Sequence, residues 1–258
     1  MAGSRSRRCC RSGAPLRAWV DLEGAANVRD IGGLPVEGGG VTASGVLIRG
    51  DNLQSLSDRD IVRLVDELGV GVVVDLRTAF EIDKEGPGPL VADDRVQIRH
   101  RDLYFEPPER GKVVFGDSDE DRYVHHYLRY LEHRPDSVLA ALDDIADGPG
   151  AVMVHCAAGK DRTGTIVALA LSVAGVEREA IIADYVATAE RITPLMARLR
   201  ASETYRADLE PYTDESRAPR AEVMERVLAH LDDRYGSPAG WLAEQGFDPA
   251  PLRERLLR

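Results

Sequence analysis

A short apolar run, Ala151–His155 (AVMVH), leads into a loop of small residues, and the loop leads into residues 163–174, which are apolar on nearly every side. A helix with no polar face must be covered all round. A strand with no alternation must be covered on both faces. This strand, loop and helix therefore belong in the middle of a layered fold. Residues 70–76 (VGVVVDL) repeat the signal of a doubly buried strand, and residues 46–48 and 96–100 read as further strands. Ser57-Asp58 reads as a helix start, with Ile61, Leu64, Val65 and Leu68 at helical spacing and Gly69 as the stop. Residues 105–121 are polar, carry Pro107-Pro108, and read as a mobile loop. Helical patterns return at 123–132 and 137–146, and the chain after residue 177 is helical with breaks near Pro194, Pro211, Pro219 and Pro238. Strands alternating with helices predict an α/β fold with a mostly parallel central sheet flanked by helices.

The chain has 258 residues and a net charge of −11. Its first seventeen residues hold Arg5, Arg7, Arg8, Arg11 and Arg17 and no acid, so residues 18–258 are more acidic still. The expectation is a basic, disordered tail over 1–17 and one domain over 18–258. An acidic body argues against nucleic acid as a partner. No apolar run approaches the roughly 18 residues that span a bilayer, so no stable membrane insertion is expected. The cysteines are Cys9, Cys10 and Cys156, which make a poor disulfide framework and fit a reducing compartment. No apolar segment follows the basic start, so a cytoplasmic location is expected, with export by a route that needs no leader left open. A monomer is expected.

The segment that carries chemistry is His155-Cys156-Ala157-Ala158-Gly159-Lys160-Asp161-Arg162-Thr163-Gly164. A loop that wraps before a helix N-terminus points backbone N–H groups into one concavity, and the helix dipole adds positive potential there. Ala157, Ala158, Gly159, Lys160, Asp161 and Arg162 are the expected phosphate cradle. Gly159 supplies backbone geometry that a Cβ would hinder. Arg162 can grip two oxygens with its planar fork, which a lysine could not match. The same field favours the thiolate of Cys156, placed beneath a bound phosphorus for in-line attack. Thr163 Oγ is expected to hydrogen-bond the sulfur, and His155 to hold the loop through its ring nitrogens.

HCAAGKDRTG resembles the signature loop of the cysteine-based protein tyrosine phosphatases, and its Lys and Asp resemble the bacterial branch with lipid-phosphatase-like loops. Asn27-Val28-Arg29-Asp30-Ile31-Gly32-Gly33, Leu47-Ile48-Arg49, Val74-Asp75-Leu76-Arg77-Thr78, and Asp184-Tyr185 followed by Thr188 resemble other recurring segments of that branch, in the same order. The resemblance spans roughly residues 20–250. It implies hydrolysis of phosphate monoesters without metal or cofactor, on phosphotyrosine, with phosphoserine, phosphothreonine and phosphoinositides as further substrate classes. It also implies that Lys160 adds charge for phosphoinositides beside phosphoproteins, and that helices after Pro194 act as a lid.

A leaving oxygen needs an acid. The resembled branch suggests Asp161, with Asp75, Asp102 and Asp117–Asp121 as rivals. Asp75, at a strand's C-terminal end, faces the crevice where α/β proteins bind ligands. It is expected to support the site by bonding Arg29, Arg49 or the signature loop, and Asp30 and Arg49 are expected near it. His125, His126 and His133 lack the acid or cysteine partners of a zinc site. Arg49-Gly50-Asp51 spells an adhesion tripeptide that chance readily supplies. Two rivals of other classes are a phospho-binding pseudo-enzyme and a sulfur-transfer domain; the Arg-Thr pair at this spacing before a buried helix speaks against the second.

Overall fold

The structure is a computed structural model, and it describes residues 18–104 and 118–258. Six strands form one sheet: β1 (Ala18–Trp19), β2 (Arg29–Asp30), β3 (Leu47–Gly50), β4 (Val70–Asp75), β5 (Gln97–His100) and β6 (Ala151–His155). Their order is β1-β2-β3-β6-β4-β5. The β3-β6-β4-β5 block is parallel, and β1 and β2 add an antiparallel edge. The parallel sheet is thus confirmed. The last strand inserts between two earlier ones, a feature that local pattern cannot reveal.

Both faces of the sheet are covered, as the unbroken apolar strands demanded. One face carries Leu47, Val72, Val74, Val152 and Val154. Against it pack α3 (Asp119–His133), α4 (Pro135–Asp147), α5 (Asp161–Ala174), α6 (Arg178–Ala187), α10 (Ala221–Tyr235), α11 (Pro238–Glu244) and α12 (Ala250–Leu256). The other face carries Ile48, Val73, Ala151 and Met153 against Leu53, Leu56, Leu64 and Val65. The helix read from Ser57 begins there as α1 (Asp58–Val62) and continues through a wider turn to Glu67. Ser57 and Asp60 form a reciprocal capping box at its start. Each fully buried Val or Leu of this core contributes roughly 1.5–3 kcal/mol relative to an exposed one.

Three boundaries differ from the sequence reading. The first strand runs on to Gly50 because it pairs with β6 as far as His155. α3 starts at Asp119, not at 123, because Ser118 and Asp121 build a capping box. The expected loop therefore ends earlier than 121, and its residues 105–117 lie outside the described residues, as does the tail 1–17. α5 starts at Asp161, so Asp161, Arg162 and Thr163 form its first turn.

A third apolar cluster sits apart from the sheet. Leu195, Met196 and Leu199 of α7 (Ile192–Ala201) and Leu209 of α8 (Glu203–Leu209) pack with Ala157 of the signature loop. A short helix, α9 (Asp214–Arg217), follows. The helices after Pro194 therefore do lie over the loop.

Candidate active site

The signature loop leaves the C-terminal end of β6, between the loops that follow β3 and β4. Three of its carbonyls are tied on its outer side. The Asn52 amide donates to Ala157 O at 3.0 Å. Asn27 Nδ2 donates to Ala158 O at 2.9 Å, and Arg49 Nη2 donates to Gly159 O at 2.7 Å. In a trans peptide the N–H points opposite the C=O. Tying those carbonyls outward turns the next three amides, of Ala158, Gly159 and Lys160, into the concavity. Gly159 adopts φ +64°, and a Cβ there would sit 2.4 Å from Gly50 O. Only glycine fits that approach.

The anchors are themselves anchored. Arg49 Nη1 and Arg29 Nε grip the two oxygens of Asp184 at 2.5 and 2.8 Å. Burial pushes the Asp184 carboxyl up, but the two guanidiniums outweigh it and hold it below the usual range. Arg29 and Arg49 are paired across β2 and β3, which sets them side by side to straddle that carboxylate. Arg49 thus supports the loop directly. Its tripeptide neighbours are buried too, with Asp51 at 1 % exposure, so no adhesion motif is displayed.

Cys156 is a free, buried cysteine, 2 % exposed. Arg162 is aimed by Glu81, a residue sequence reasoning missed. Its Nη1 and Nη2 donate to Glu81 Oε2 and Oε1 at 2.6 and 2.9 Å, and Nη1 also reaches Leu76 O at 3.2 Å. Its guanidinium lies 5.0 Å from the Tyr104 ring centre. Glu81 also caps α2 (Ala79–Glu85) through Thr78, so Thr78-x-x-Glu81 was the overlooked signal. Burial pushes Glu81 up, but Arg162 and Thr78 more than offset it and bring it down to about 2.

Lys160 is nearly buried. Its Nζ donates to Arg217 O of α9 at 2.7 Å, lies 3.6 Å from Asp161 Oδ1, and sits 4.9 Å from the Tyr123 ring centre. Asp161 Oδ1 accepts from the Tyr127 hydroxyl at 2.5 Å, and Tyr127 Oη is 2.8 Å from Tyr185 Oη. Burial pushes the Asp161 carboxyl up, but Lys160, the Tyr127 hydroxyl, Arg217 and His126 prevail and hold it low. Asp102 behaves oppositely: burial raises it above the usual range, only partly offset by the Tyr104 amide, His100 and Arg162. Asp117 lies outside the described residues, while Asp121 is tied to Arg226 and the Ser118 cap.

Several expected contacts differ. Asp75 bonds neither Arg29 nor Arg49 and approaches the signature segment only at His155; its carboxylate is held by Arg77 at 2.6–3.1 Å. Burial pushes Asp75 up; His155 and Arg77 bring it well below the usual range, and Arg77 is the firmer partner since His155 Nε2 stands 3.6 Å away. His155 Nδ1 is 3.3 Å from Cys156 O, so it does touch the loop. Asp30 does not reach the site. Strand alternation turns it away from Arg29, and it bonds the amides of Gly32 and Gly45 instead. Thr163 Oγ1 is buried with no hydrogen-bond partner among the described residues, so its expected bond to sulfur is not formed. Its place in the first turn of α5 fixes where that hydroxyl projects. His126 is packed among tyrosines, 2.7 Å from Tyr130 Oη, and burial lowers it to about 4.

A family model described as "Tyrosine phosphatase family" matches residues 20–258. The chain belongs to the tyrosine phosphatase family. It is 28% identical over 268 residues to the triple specificity protein phosphatase PtpB of Mycobacterium tuberculosis, covering 90% of this chain and 95% of that one. A tyrosine-protein phosphatase of Nostoc commune is 31% identical over 219 residues, covering 82% of this chain and 73% of the relative. The crystal structure of P. aeruginosa TpbA aligns over 96% of this chain and 99% of its own, at 16% identity and a TM-score of 0.36. The resemblance first seen in the loop extends over residues 20–258. No helix among the described residues is long and apolar enough to cross a membrane.

Proposed function

We propose that this phosphatase hydrolyses phosphate monoesters through a cysteinyl-phosphate intermediate on Cys156. The observation that carries the reading is the outward tethering of the loop carbonyls around a buried cysteine, with Arg162 aimed by Glu81. The loop amides and Arg162 take the three non-bridging oxygens. The Cys156 thiolate attacks phosphorus, the S–P bond forms, and the P–O bond to the leaving group breaks. An acid protonates that oxygen. Water then attacks phosphorus, gives its proton to the same carboxylate, and releases inorganic phosphate and the thiolate.

For the acid we take Asp102 over Asp161. A general acid must hold its proton near working pH. Asp161 is surrounded by groups that favour its anion, whereas burial favours the neutral form of Asp102. A bound dianion raises both carboxyls, and the Tyr127 bond persists only at Asp161. Phosphotyrosine is the primary substrate class, and Tyr104 and Tyr123 offer aromatic walls to it. Phosphoserine, phosphothreonine and phosphoinositides are included, in line with the triple specificity in the name of the M. tuberculosis relative and with Lys160 beside the pocket. α9 contacts the loop through the Lys160 to Arg217 bond and α8 packs in the cluster with Ala157, and in this reading both open when substrate enters.

The test is rapid quench with p-nitrophenyl phosphate and with alkyl phosphates, followed by mass analysis. The wild type should accumulate a phosphate adduct on Cys156, and Cys156→Ser should not turn over. Asp102→Asn should lose rate steeply on alkyl phosphates and little on p-nitrophenyl phosphate. Turnover by Cys156→Ser overturns the mechanism. A leaving-group penalty confined to Asp161→Asn returns the acid role to Asp161.

A further inference from the structure

Asp161 raises a physical problem that the reaction does not solve. It puts a carboxylate in the loop that must hold a dianion, one residue from Lys160 and one from Arg162. A free carboxylate there would repel phosphate or capture those cations.

We propose that Tyr127, backed by Tyr185, is the positioning residue that holds the Asp161 carboxylate away from the phosphate and leaves Lys160 available to the substrate. The inference rests on the phosphate-loop reading above. Tyr127 is fully buried, and Tyr185 packs edge-on against it at 2 % exposure. The Tyr127 hydroxyl donates to Asp161 Oδ1 at 2.5 Å, the length of a charge-assisted bond. Tyr185 Oη at 2.8 Å fixes the hydroxyl from behind. The Tyr127 ring is itself pinned, stacked on Tyr130 at 14° with centroids 6.2 Å apart. Lys160 approaches the same Oδ1 only to 3.6 Å while donating to Arg217 O at 2.7 Å. The carboxylate is therefore claimed by tyrosine, and the ammonium is not locked to it. The charged and titratable groups around the pair are Lys160, Arg162, Arg217, His126, Tyr123, Tyr127 and Tyr185.

Without the Tyr127 hydroxyl, the Asp161 carboxylate rotates toward Lys160 and the anion site. The consequence has a sign that simple loosening of the loop does not share. Binding of inorganic phosphate is measured by calorimetry on the full chain in a double-mutant cycle. Asp161→Asn removes the repelling charge and should bind phosphate more tightly. Tyr127→Phe should bind about three- to tenfold more weakly, as expected for one charge moved a few ångströms nearer a dianion. In the Asp161→Asn background, Tyr127→Phe should change nothing. Tyr185→Phe, which keeps the Asp161 bond but removes its backing, should weaken phosphate in the same direction and less.

Equal weakening by Tyr127→Phe in both backgrounds overturns the proposal and assigns Tyr127 to packing alone. No weakening in the wild-type background overturns it too. A wild type that binds no phosphate overturns the phosphate-loop reading itself, which is a different result. If Tyr127→Phe lowers the melting temperature strongly, the Tyr185→Phe cycle with Asp161→Asn decides by the same criterion.

Discussion

Glu81 shows how much one side chain can do in this site. It caps α2 and clamps Arg162 with both oxygens, and its carboxyl stands at about 2 against a usual 4.5. The folded state therefore binds that proton less tightly than the unfolded state. The stabilisation is complete above pH 4.5 and is lost as pH falls toward 2. Glu81→Gln should cost on the order of 3 kcal/mol at pH 7, and its difference from wild type should shrink below pH 4 in urea titrations. The same variant should weaken phosphate, because Arg162 loses its aim. A wild-type stability profile identical to that of Glu81→Gln across this range would show that the pair contributes nothing. Gly159 is a second single-residue constraint. Gly159→Ala should abolish phosphate binding while the far side of the sheet stays folded, since its Cβ would meet Gly50 backbone at 2.4 Å. Retained phosphate binding in calorimetry would show that β3 can yield there.

At the scale of elements, α7–α9 form a cover rather than part of the central core. Their apolar cluster is small and separate, and α9 touches the loop through the Lys160 to Arg217 bond. Segments with few buried contacts open at low free energy. Hydrogen exchange should be faster over residues 203–217 than over α5, and phosphate should slow it. Full protection of 203–217 in the free protein would contradict the proposed opening of this cover. The strand and helix pattern was legible wherever periodicity was strong, as in β4, β6 and α5. The start of α3 was missed because Ser118-x-x-Asp121 hides inside an acidic stretch that resembles loop composition. Glu81 was missed because its role depends on α2 folding back to the first turn of α5, where its partner Arg162 lies 81 residues along the chain.

At the scale of the whole molecule, the proposed anion site lies in a chain of net charge −11. The general field repels phosphorylated substrates, while the loop attracts them at short range. Added salt screens the long-range part first. Raising ionic strength from about 0.01 to 0.15 M should raise kcat/KM for an anionic phosphopeptide by roughly twofold at constant pH, as the Debye length drops from ~30 to ~8 Å. A steep fall instead would mean that local basic groups dominate the approach.

The sequence by itself determined the loop and the layering. A strand and a helix apolar on all sides must sit centrally, and Cys-x5-Arg-Thr between them falls at a helix N-terminus, where an anion is favoured. Those are local consequences of backbone geometry and hydrophobic pattern. What only the tertiary structure decided is which distant groups complete the loop. Insertion of β6 between β3 and β4 brings Arg49 and Asn27 to the loop carbonyls, with Asp184 gripping Arg49 from behind, and brings Glu81 to Arg162. It also separates Asp161, whose carboxyl Lys160 and the Tyr127 hydroxyl hold low, from Asp102, raised by its own burial. The protonation state of a carboxylate depends on its neighbours in space, and spacing along the chain does not encode them.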